Sequence, residues 1–443
     1  MNDVSELAVE GYLYYYPLVE NLRQVQRYVQ TGVGSNPAAP FNAFSHARNL
    51  AGPHDTFVTI NNDTVYSVAQ LDLSGGPLVL EVPDIGKRYY VLQFVDAWSN
   101  NIAYVGTRAT GPAGGRFLIT PPGWAGQAPD GYTPIAMSTP IGSIVGRFAC
   151  AGPDDVAAVR AVQDSLVLRP ASGSAGGAML AGIPPVSQDL SEELLFWEQA
   201  RLWSQAFPAA PQDDGWADRY SPLGTAKPSS PYTEPGEFTQ AMSVGYRAGV
   251  EKLEYLTHHG SSPVNNGWTV GLHMFDYNVY NLGLGTRDED EWKITDPAHR
   301  IAERAIAARL GLWGNHGYEA VYAQAFTDID GGQLIGDNTY AVTFTRLPPV
   351  DAFWSVTLYD IPRYYLVANP IDRYSIGDRT PGIRYGQDGI FTITISVGEP
   401  ADSTSRANWL PAPAGPYRLV LRLYIPGQAI LDGSYPFPKI NRT

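Results

Sequence analysis

The period of the hydrophobic pattern changes twice along this chain, and these changes limit the folds available to it. Apolar residues recur at helical spacing over residues 3 to about 30, and the period becomes two from residue 56 to about 148. Helical spacing returns in the middle, and strand-like runs resume at about residue 338. A period of two predicts strands and a period near 3.6 predicts amphipathic helices. We therefore expect a mainly β protein of the α+β class, with two β-sandwich- or jelly-roll-like units joined by a helical segment.

The same changes place the expected domain borders. Residues 1–150 are predicted to form an N-terminal helix plus a β unit, residues 151–325 a helical middle with Pro/Gly-rich connectors, and residues 326–443 a C-terminal β unit. Four middle helices are expected: one after the potential caps Asp154 and Asp155, two over about 189–207 and 237–258, and one opening at Asp296-Pro297. The N-terminal helix carries an aromatic stripe that we expect to be a packing face: Tyr12, Tyr14, Tyr15 and Tyr16.

Composition limits the partners and the location. The formal net charge is −14, and Lys and Arg form no run that could follow a phosphate backbone, so we expect no nucleic-acid partner. No apolar stretch approaches the roughly 18 residues of a membrane helix, and the acidic start differs from that of a signal peptide. These features predict a cytoplasmic protein; an exported protein whose leader is absent from this sequence is the alternative. The single cysteine, Cys150, excludes an internal disulfide.

Three segments recur in the same order in the two β regions. The pairs are residues 63–66 with 338–340, 90–96 with 354–360, and 117–120 with 391–394. The recurrence predicts two related β units, and the alternative is chance similarity between strands of like composition.

The signatures of common cofactor and metal sites are missing. The chain has no Gly-x-Ser-x-Gly elbow, Walker loop, dinucleotide fingerprint, His-Glu-x-x-His or Cys-x-x-Cys. His273 and Asp276 are better explained as a hydrogen-bonded structural pair than as metal ligands. We therefore expect no cofactor and no metal.

A first candidate site lies in the N-terminal β unit, where polar and aromatic residues are dense over residues 61–66 and 88–98. Alternate residues of a strand share a face, so Thr64 with Tyr66, and Tyr89 with Gln93, are expected to line a concave surface. A carboxylate beside tyrosine and arginine suits proton transfer, because the arginine can stabilise negative charge. The expected catalytic residues are Asp63, Tyr66, Arg88 and Asp96, and the expected substrate-binding residues in this unit are Asn62, Tyr89, Gln93 and Trp98.

The central expectation is that Asp63 and Arg88 share one cavity wall. In the structural alternative, Asn62, Asp63 and Thr64 satisfy the backbone donors of a turn, and Arg88 pairs with Asp96 inside the sheet.

A second candidate site lies in the C-terminal β unit. Trp354, Arg373 and Tyr374 are expected to bind substrate, and the alternative is an ion-paired clamp that orders the loop. Tryptophans such as Trp98, Trp354 and Trp409 would suit stacking on a sugar, although large aromatic residues more often belong to a core.

Several motifs of this sequence resemble those of a known family. In the N-terminal part they are Asn62-Asp63-Thr64-x-Tyr66, Leu71-Asp72-Leu73, Arg88-Tyr89-Tyr90 and Pro122-Gly123-Trp124-x-Gly126. In the C-terminal part they are Phe353-Trp354-Ser355, Arg373-Tyr374-Ser375-Ile376-Gly377, Asn408-Trp409-Leu410-Pro411 and Arg422-Leu423-Tyr424. On these motifs the chain resembles, over nearly its whole length, the bacterial two-domain family of domains of unknown function 1254 and 1214. The resemblance implies a β-rich fold, a jelly-roll-like C-terminal unit and a homo-oligomer, and it brings no agreed reaction.

The expected function is that of a cofactor-independent enzyme, a hydrolase or lyase, that uses Asp/Tyr/Arg acid–base chemistry on a small organic substrate. Two alternatives are a non-catalytic ligand- or carbohydrate-binding protein and an oligomeric assembly protein. A closed pocket with convergent Asp, Tyr and Arg favours catalysis, whereas an open groove with exposed tryptophans favours binding.

Overall fold

The computed structural model describes residues 2–55, 59–171, 180–259 and 262–443. Its helices are α1 Asn2–Gln30, α2 Val156–Asp164, α3 Glu192–Ala206, α4 Asp214–Tyr220, α5 Glu237–His258, α6 Pro297–Gly311, α7 Ser403–Ala407 and α8 Gln428–Leu431. The predicted N-terminal helix and the four predicted middle helices are confirmed. Helix α4 has no counterpart in the prediction because seven residues are too few to show a clear period. None of the described helices combines the length and hydropathy needed to cross a bilayer.

Helix α1 is the centre of the helical layer. It packs against α3, α5 and α6, and Leu18 and Leu22 on its buried side are fully inaccessible to solvent. Tyr14 and Tyr15 from the predicted aromatic stripe pack against Trp98 of the neighbouring β unit. The stripe is therefore a packing face, as predicted, and it joins the helices to a sheet.

Among the described residues, the N-terminal β unit has nine strands in two sheets. They are β1 Phe44–His46, β2 Thr64–Asp72, β3 Leu78–Val82, β4 Tyr90–Asp96, β5 Asn101–Gly106, β6 Gly115–Thr120, β7 Thr133–Ala136, β8 Ile141–Ala149 and β9 Val167–Pro170. One sheet has the order β1-β2-β8-β4-β5 and the other the order β7-β6-β3-β9. Apolar side chains of both sheets, including Leu80, Leu92 and Phe148, form one buried core.

The part of the C-terminal β unit that the structure describes, from residue 262 onward, has ten strands, again in two sheets. They are β10 Val264–Asn265, β11 Trp268–Val270, β12 Ala320–Ala325, β13 Tyr340–Phe344, β14 Val350–Asp360, β15 Ser375–Gly377, β16 Phe391–Ser396, β17 Trp409–Pro411, β18 Tyr417–Pro426 and β19 Lys439–Arg442. The sheets have the orders β10-β11-β12-β18-β14-β15 and β17-β16-β13-β19. Val342, Leu358 and Leu421 belong to the core that they share.

These two sheet-rich units and the helices between them make the protein an α+β protein, as predicted. The described part of the predicted helical middle, residues 151–325, nevertheless includes four strands. Strand β9 pairs within the N-terminal unit, and β10, β11 and β12 pair within the C-terminal unit. Residues 172–179 of the predicted Pro/Gly-rich connector lie outside the described residues. The same holds for residues 56–58 at the start of the predicted strand region.

The two β units share one strand topology. The order β2-β8-β4-β5 matches β12-β18-β14-β15, and the order β7-β6-β3-β9 matches β17-β16-β13-β19, with a parallel pair at β6–β7 and at β16–β17. Two of the three predicted recurrences, 90–96 with 354–360 and 117–120 with 391–394, join equivalent strands. The recurrence of residues 63–66 with 338–340 is wrong, because the counterpart of β2 is β12 and residues 338–340 lead into β13.

The two units meet through a contact that is partly aromatic and partly polar. The Tyr89 ring packs against Phe353 and Tyr424, and its hydroxyl donates a hydrogen bond to Glu319 Oε1 over 2.8 Å. The Asn61 amide donates to the Tyr424 hydroxyl over 2.5 Å. This contact brings the start of β2 close to β14 and β18, where the candidate site lies.

We predict that Leu22→Ala lowers the free energy of unfolding by about 2–5 kcal/mol, because it leaves a cavity at the centre of the helical layer. Glu6→Ala, on the exposed side of the same helix, is the control and should change that free energy by no more than about 0.5 kcal/mol. Urea unfolding followed by circular dichroism measures both. Equal effects of the two substitutions would show that α1 is not the centre of this layer.

Candidate functional site

The turn that leads into β2 is held by Asn61. Its side-chain oxygen accepts hydrogen bonds from the backbone N–H of Asp63 over 2.6 Å and of Thr64 over 3.2 Å. Asn61 therefore satisfies the backbone donors that the structural alternative assigned to its three neighbours. As a result, the Asp63 side chain is not used to hold the turn.

The Asp63 carboxylate makes its hydrogen bond across the interface between the units. Ser355 Oγ on β14 donates to Asp63 Oδ2 over 2.5 Å, and Asp63 is only 4% exposed. The Arg379 guanidinium donates to the Asp63 backbone carbonyl over 3.2 Å and stacks on the Phe353 ring, 3.4 Å from its centroid. Burial lowers the pKa of Arg379. The arrangement places a buried carboxylate, a hydroxyl and a cation close together.

The backbone opposite Ser355 leaves space for glycine alone. Gly377 on β15 is the register partner of Ser355, and a Cβ atom at Gly377 would lie 2.0 Å from the Trp354 carbonyl oxygen. Because no real Cβ tolerates that distance, Gly377 allows β15 to pair closely with β14. This close pairing holds Ser355 in place beside Asp63.

Around this group lies a cavity of about 510 Å³ that we call the Asp63 cavity. Its walls come from both β units and include Asn62, Asp63, Cys150, Trp354, Ser355, Arg373, Tyr374, Ser375 and Arg379. Five expected site residues thus line one space: Asn62, Asp63, Trp354, Arg373 and Tyr374. Burial raises the pKa of the Cys150 thiol, whose Sγ donates to the Gly152 carbonyl, so this thiol is not activated as a nucleophile.

Arg373 and Tyr374 lie on an ordered loop at the rim of this cavity. Arg373 Nη1 donates to the backbone carbonyls of Ala407 over 3.0 Å and of Trp409 over 2.9 Å. The Tyr374 hydroxyl donates to Asp372 over 2.9 Å. The Arg373 guanidinium forms no ion pair with any described carboxylate. It therefore orders the loop through backbone carbonyls, and the ion-paired clamp that was the alternative prediction is wrong.

Arg88 does not line the Asp63 cavity, which corrects the expectation of a shared wall. Its guanidinium donates twice to the Asp155 carboxylate, over 2.6 and 2.7 Å, and once to the Ala149 carbonyl over 2.6 Å. Asp155 also accepts from the Ala151 N–H, so it does not cap α2 through its side chain. The predicted Arg88–Asp96 pair does not form, because Asp155 is the partner of Arg88. Through these hydrogen bonds, Arg88 holds the segment behind the cavity wall in position.

Asp96 and Trp98 hold structure elsewhere. The Asp96 carboxylate is 1% exposed and accepts hydrogen bonds from the N–H groups of Trp98 and Asn100, from the Asn100 amide and from Ser138 Oγ. The Trp98 indole donates to the Phe207 carbonyl over 2.8 Å. Both residues fix the turn after β4 against the helical layer, and neither lines the Asp63 cavity.

The remaining expected residues of the first site divide between two places. Thr64 and Tyr66 line one cavity together, as their alternation along β2 predicted. Gln93 Oε1 accepts a hydrogen bond from Arg147 over 2.7 Å, whereas Tyr89 is occupied by Glu319 and the ring contacts between the units. Thr64, Tyr66, Tyr89 and Gln93 therefore do not meet Asp63 in its cavity.

The three tryptophans of the sugar-stacking alternative present no open ring face. Trp98, Trp354 and Trp409 are each 2% exposed. Trp409 donates through its indole to the Ser396 carbonyl over 3.0 Å, and Trp354 packs on Phe344. They are core residues, and Trp354 additionally forms part of the Asp63 cavity wall.

Three residues of this cavity, Ser355, Ser375 and Arg379, have no role in the sequence-based prediction. Ser355 and Ser375 lie within the family motifs, next to residues that were selected, and Arg379 follows two residues after Gly377. The motif itself is therefore the signal that points to them. In the described ranges, no group of three or more His, Cys, Asp or Glu side chains is placed to hold a metal ion. His273 and Asp276 are hydrogen bonded over 2.7 Å, as the structural explanation predicted.

Comparison with known proteins matches both β units. Residues 41–170 match a protein family of unknown function (DUF1254), and residues 319–428 match a second protein family of unknown function (DUF1214). The chain therefore belongs to the two-domain family that joins these domains, as its motifs indicated. No protein of curated description matches it.

The solved structures similar to this chain include the VPA0106 protein from Vibrio parahaemolyticus, with a TM-score of 0.71 and 25% sequence identity. That match covers 99% of this chain and all of the Vibrio chain, 100%. A second similar structure is an uncharacterized protein from Burkholderia cenocepacia, with a TM-score of 0.46 and 11% identity over 98% of this chain and 88% of that one. The Vibrio structure shares the fold of this chain along nearly the whole length of both.

The Arg88–Asp155 pair should stabilise the fold in a pH-dependent way. Hydrogen bonding to Arg88 lowers the pKa of Asp155 below its ordinary value of 3.8. A lowered carboxyl pKa contributes stability that is present above the ordinary pKa and is lost as the pH falls through the folded-state pKa. We predict that Arg88→Gln lowers the free energy of unfolding by about 1–3 kcal/mol at pH 7, and that this difference shrinks below pH 3.8.

The control for this prediction is Arg169→Gln, which removes a more exposed ion pair with Glu81 and should cost no more than about 1 kcal/mol. Unfolding curves of the three proteins at neutral and acidic pH measure the effect. A pH-independent difference between Arg88→Gln and the unchanged protein would contradict the ion pair.

Proposed function

We propose that the protein is a cofactor-independent enzyme, a hydrolase or lyase, that acts on a small organic substrate in the Asp63 cavity. The observation that carries the proposal is the Asp63–Ser355 hydrogen bond, which lies beside Arg379 where motifs of both matched domains meet. A buried carboxylate that already accepts a hydroxyl hydrogen is placed for proton transfer. Burial strengthens its interaction with the nearby cations.

In the hydrolytic form of this proposal, Ser355 is the nucleophile. Its Oγ forms a bond to the substrate carbonyl carbon while its proton passes to Asp63, and Arg379 stabilises the negative oxygen that develops. The bond to the leaving group then breaks, and the leaving group takes the proton from Asp63. A water molecule that gives a proton to Asp63 then forms a bond to the acyl carbon. The bond to Ser355 Oγ breaks, and Oγ takes that proton from Asp63, which restores both side chains and releases the acid.

In the lyase form, the substrate displaces the Ser355 hydroxyl from Asp63. The carboxylate then takes a proton from a substrate carbon, the electron pair of that C–H bond forms a carbon–carbon double bond, and the leaving group departs with the electrons of its own bond. The leaving group takes the proton from Asp63, and Arg379 and Arg373 stabilise the negative charge that develops. These two arginines favour a substrate with a negatively charged group, since among the described residues neither guanidinium is in an ion pair.

Some expectations from the sequence remain predictions. They are a cytoplasmic location, the jelly-roll connectivity of the C-terminal unit, the absence of a nucleic-acid partner and of a membrane partner, and a homo-oligomeric state. Light scattering that gives a multiple of the 48.2 kDa chain mass would support the last of these.

A panel of small anionic esters and β-substituted organic acids tests the proposal. With any substrate that is turned over, Asp63→Asn should reduce kcat at least about 100-fold, because it removes the proton acceptor. Ser355→Ala should reduce ester hydrolysis to a similar extent and should leave a lyase reaction largely active, which separates the two forms. The control is Asp130→Asn, a change at an exposed position outside the cavity. Full turnover by a folded Asp63→Asn protein would overturn the proposal.

A further inference from the structure

The shared topology places two tyrosine–arginine pairs at equivalent positions of the two β units. Tyr66 on β2 lies opposite Arg147 on β8, and Tyr322 on β12 lies opposite Arg422 on β18. Strand β2 corresponds to β12 and β8 to β18 in the matching strand orders. The equivalence extends one strand further, because Arg147 donates to Gln93 on β4 and Arg422 donates to Thr357 on β14.

Both pairs face a cavity between the units that we call the inter-unit cavity. It has two adjoining chambers of about 120 and 140 Å³, and Thr59, Asn61, Tyr66, Arg147 and Leu312 line both. Tyr322 and Arg422 complete the second chamber. On this measure a single water needs about 10–15 Å³, so each chamber has space for a small organic group.

Arg147 and Arg422 are buried with neutral partners. Arg147 is 5% exposed and donates to the side chains of Gln93 and Asn315 and to the Trp313 carbonyl. Arg422 is 3% exposed and donates to the Thr357 and Tyr359 hydroxyls and to the Thr59 carbonyl. Neither forms an ion pair with a carboxylate of the described residues.

Two buried cations with no carboxylate in direct contact are costly, because burial removes the hydration of each charge and neutral partners replace it only in part. The Asp63 carboxylate acts on Arg422 through longer-range attraction alone. A second observation points the same way. The Thr64 hydroxyl, 1% exposed and in the wall of the first chamber, has no hydrogen-bond partner among the described residues. The polar part of the inter-unit cavity is therefore built for a group that brings negative charge and accepts hydrogen bonds.

Much of the remaining lining is apolar. In the first chamber it includes Tyr28, Val145 and Trp313, and in the second Phe275, Leu310 and Val420. A small inorganic anion would leave this surface unused, whereas a ligand with an apolar body would bury it favourably.

We propose that the inter-unit cavity binds a small organic anion with an apolar body, whose carboxylate or phosphate group is held between Arg147 and Arg422. This site is distinct from the proposed catalytic site. Asp63 does not line the inter-unit cavity, and neither arginine lines the Asp63 cavity.

Isothermal titration with three probes of similar size tests the proposal: phenylacetate, phenyl phosphate and the neutral phenethyl alcohol. The unchanged protein should bind at least one anion, and the better anion identifies the group that the site prefers. The alcohol should bind at least about 30-fold more weakly, since it cannot offer charge-assisted hydrogen bonds. Binding of the alcohol as tightly as the anions, or of neither anion, would overturn the proposal.

Variants locate the binding. Arg147→Met and Arg422→Met should each weaken anion binding by about 30-fold or more, because one of the two buried cations is lost. Arg422→Lys keeps the positive charge, which favours correct folding, and removes the planar guanidinium. We expect it to weaken anion binding by about 10-fold. Asp63→Asn should not weaken anion binding, because it removes a negative charge that acts on Arg422, and this separates the proposal from the catalytic one. Asp130→Asn, at an exposed position outside both cavities, is the control and should bind the anion like the unchanged protein. Unchanged affinity in Arg422→Lys or in a folded Arg422→Met protein would contradict the site.

Discussion

The hydrogen bond between Ser355 and Asp63 is the interaction on which the candidate site depends, because its two partners belong to different β units. Asp63 is free to accept it since Asn61 holds the turn before β2. Ser355 is in position to donate it since Gly377 allows β15 to lie close against β14. The Asp63 cavity therefore exists only when both units are folded and docked. The aromatic contact of Tyr89 with Phe353 and Tyr424 stabilises that docking.

The repeated topology explains why the Asp63 cavity has a hydroxyl beside a carboxylate and the inter-unit cavity has a pair of cations. Arg147 and Arg422 occupy equivalent positions on β8 and β18. On the side away from the tyrosines, Arg147 pairs with Val91 on β4, and Arg422 pairs with Ser355 on β14. Val91 is fully buried in the contact between the units, whereas Ser355 reaches Asp63. Both units therefore have an arginine at this position, and only the C-terminal unit has a hydroxyl at the position paired with it. The two units are similar in fold and different in the chemistry of these buried positions.

Much of the fold could be predicted from local patterns, and the pairing of distant side chains could not. Helices α1, α5 and α6 are long and have clear periods or caps, so their existence and type follow from the sequence. Strands β10 and β11 have two and three residues, which are too few to show a pattern. Strand β12 lies within the segment that is predicted to be helical. Five cavity residues were found because they lie in dense polar motifs. Arg88 was assigned to the wrong wall, because its partner Asp155 lies 67 positions away and only tertiary packing selects it.

A double-mutant cycle on Asp63 and Ser355 tests most directly whether the docking of the two units creates the site. The free energy of unfolding would be measured for Asp63→Ala, Ser355→Ala, the double variant and the unchanged protein. A hydrogen bond to a buried carboxylate predicts a coupling energy of about 1.5–3 kcal/mol between the two side chains. A coupling energy within about 0.5 kcal/mol of zero would show that the two residues do not interact, and the account of the Asp63 cavity would be contradicted.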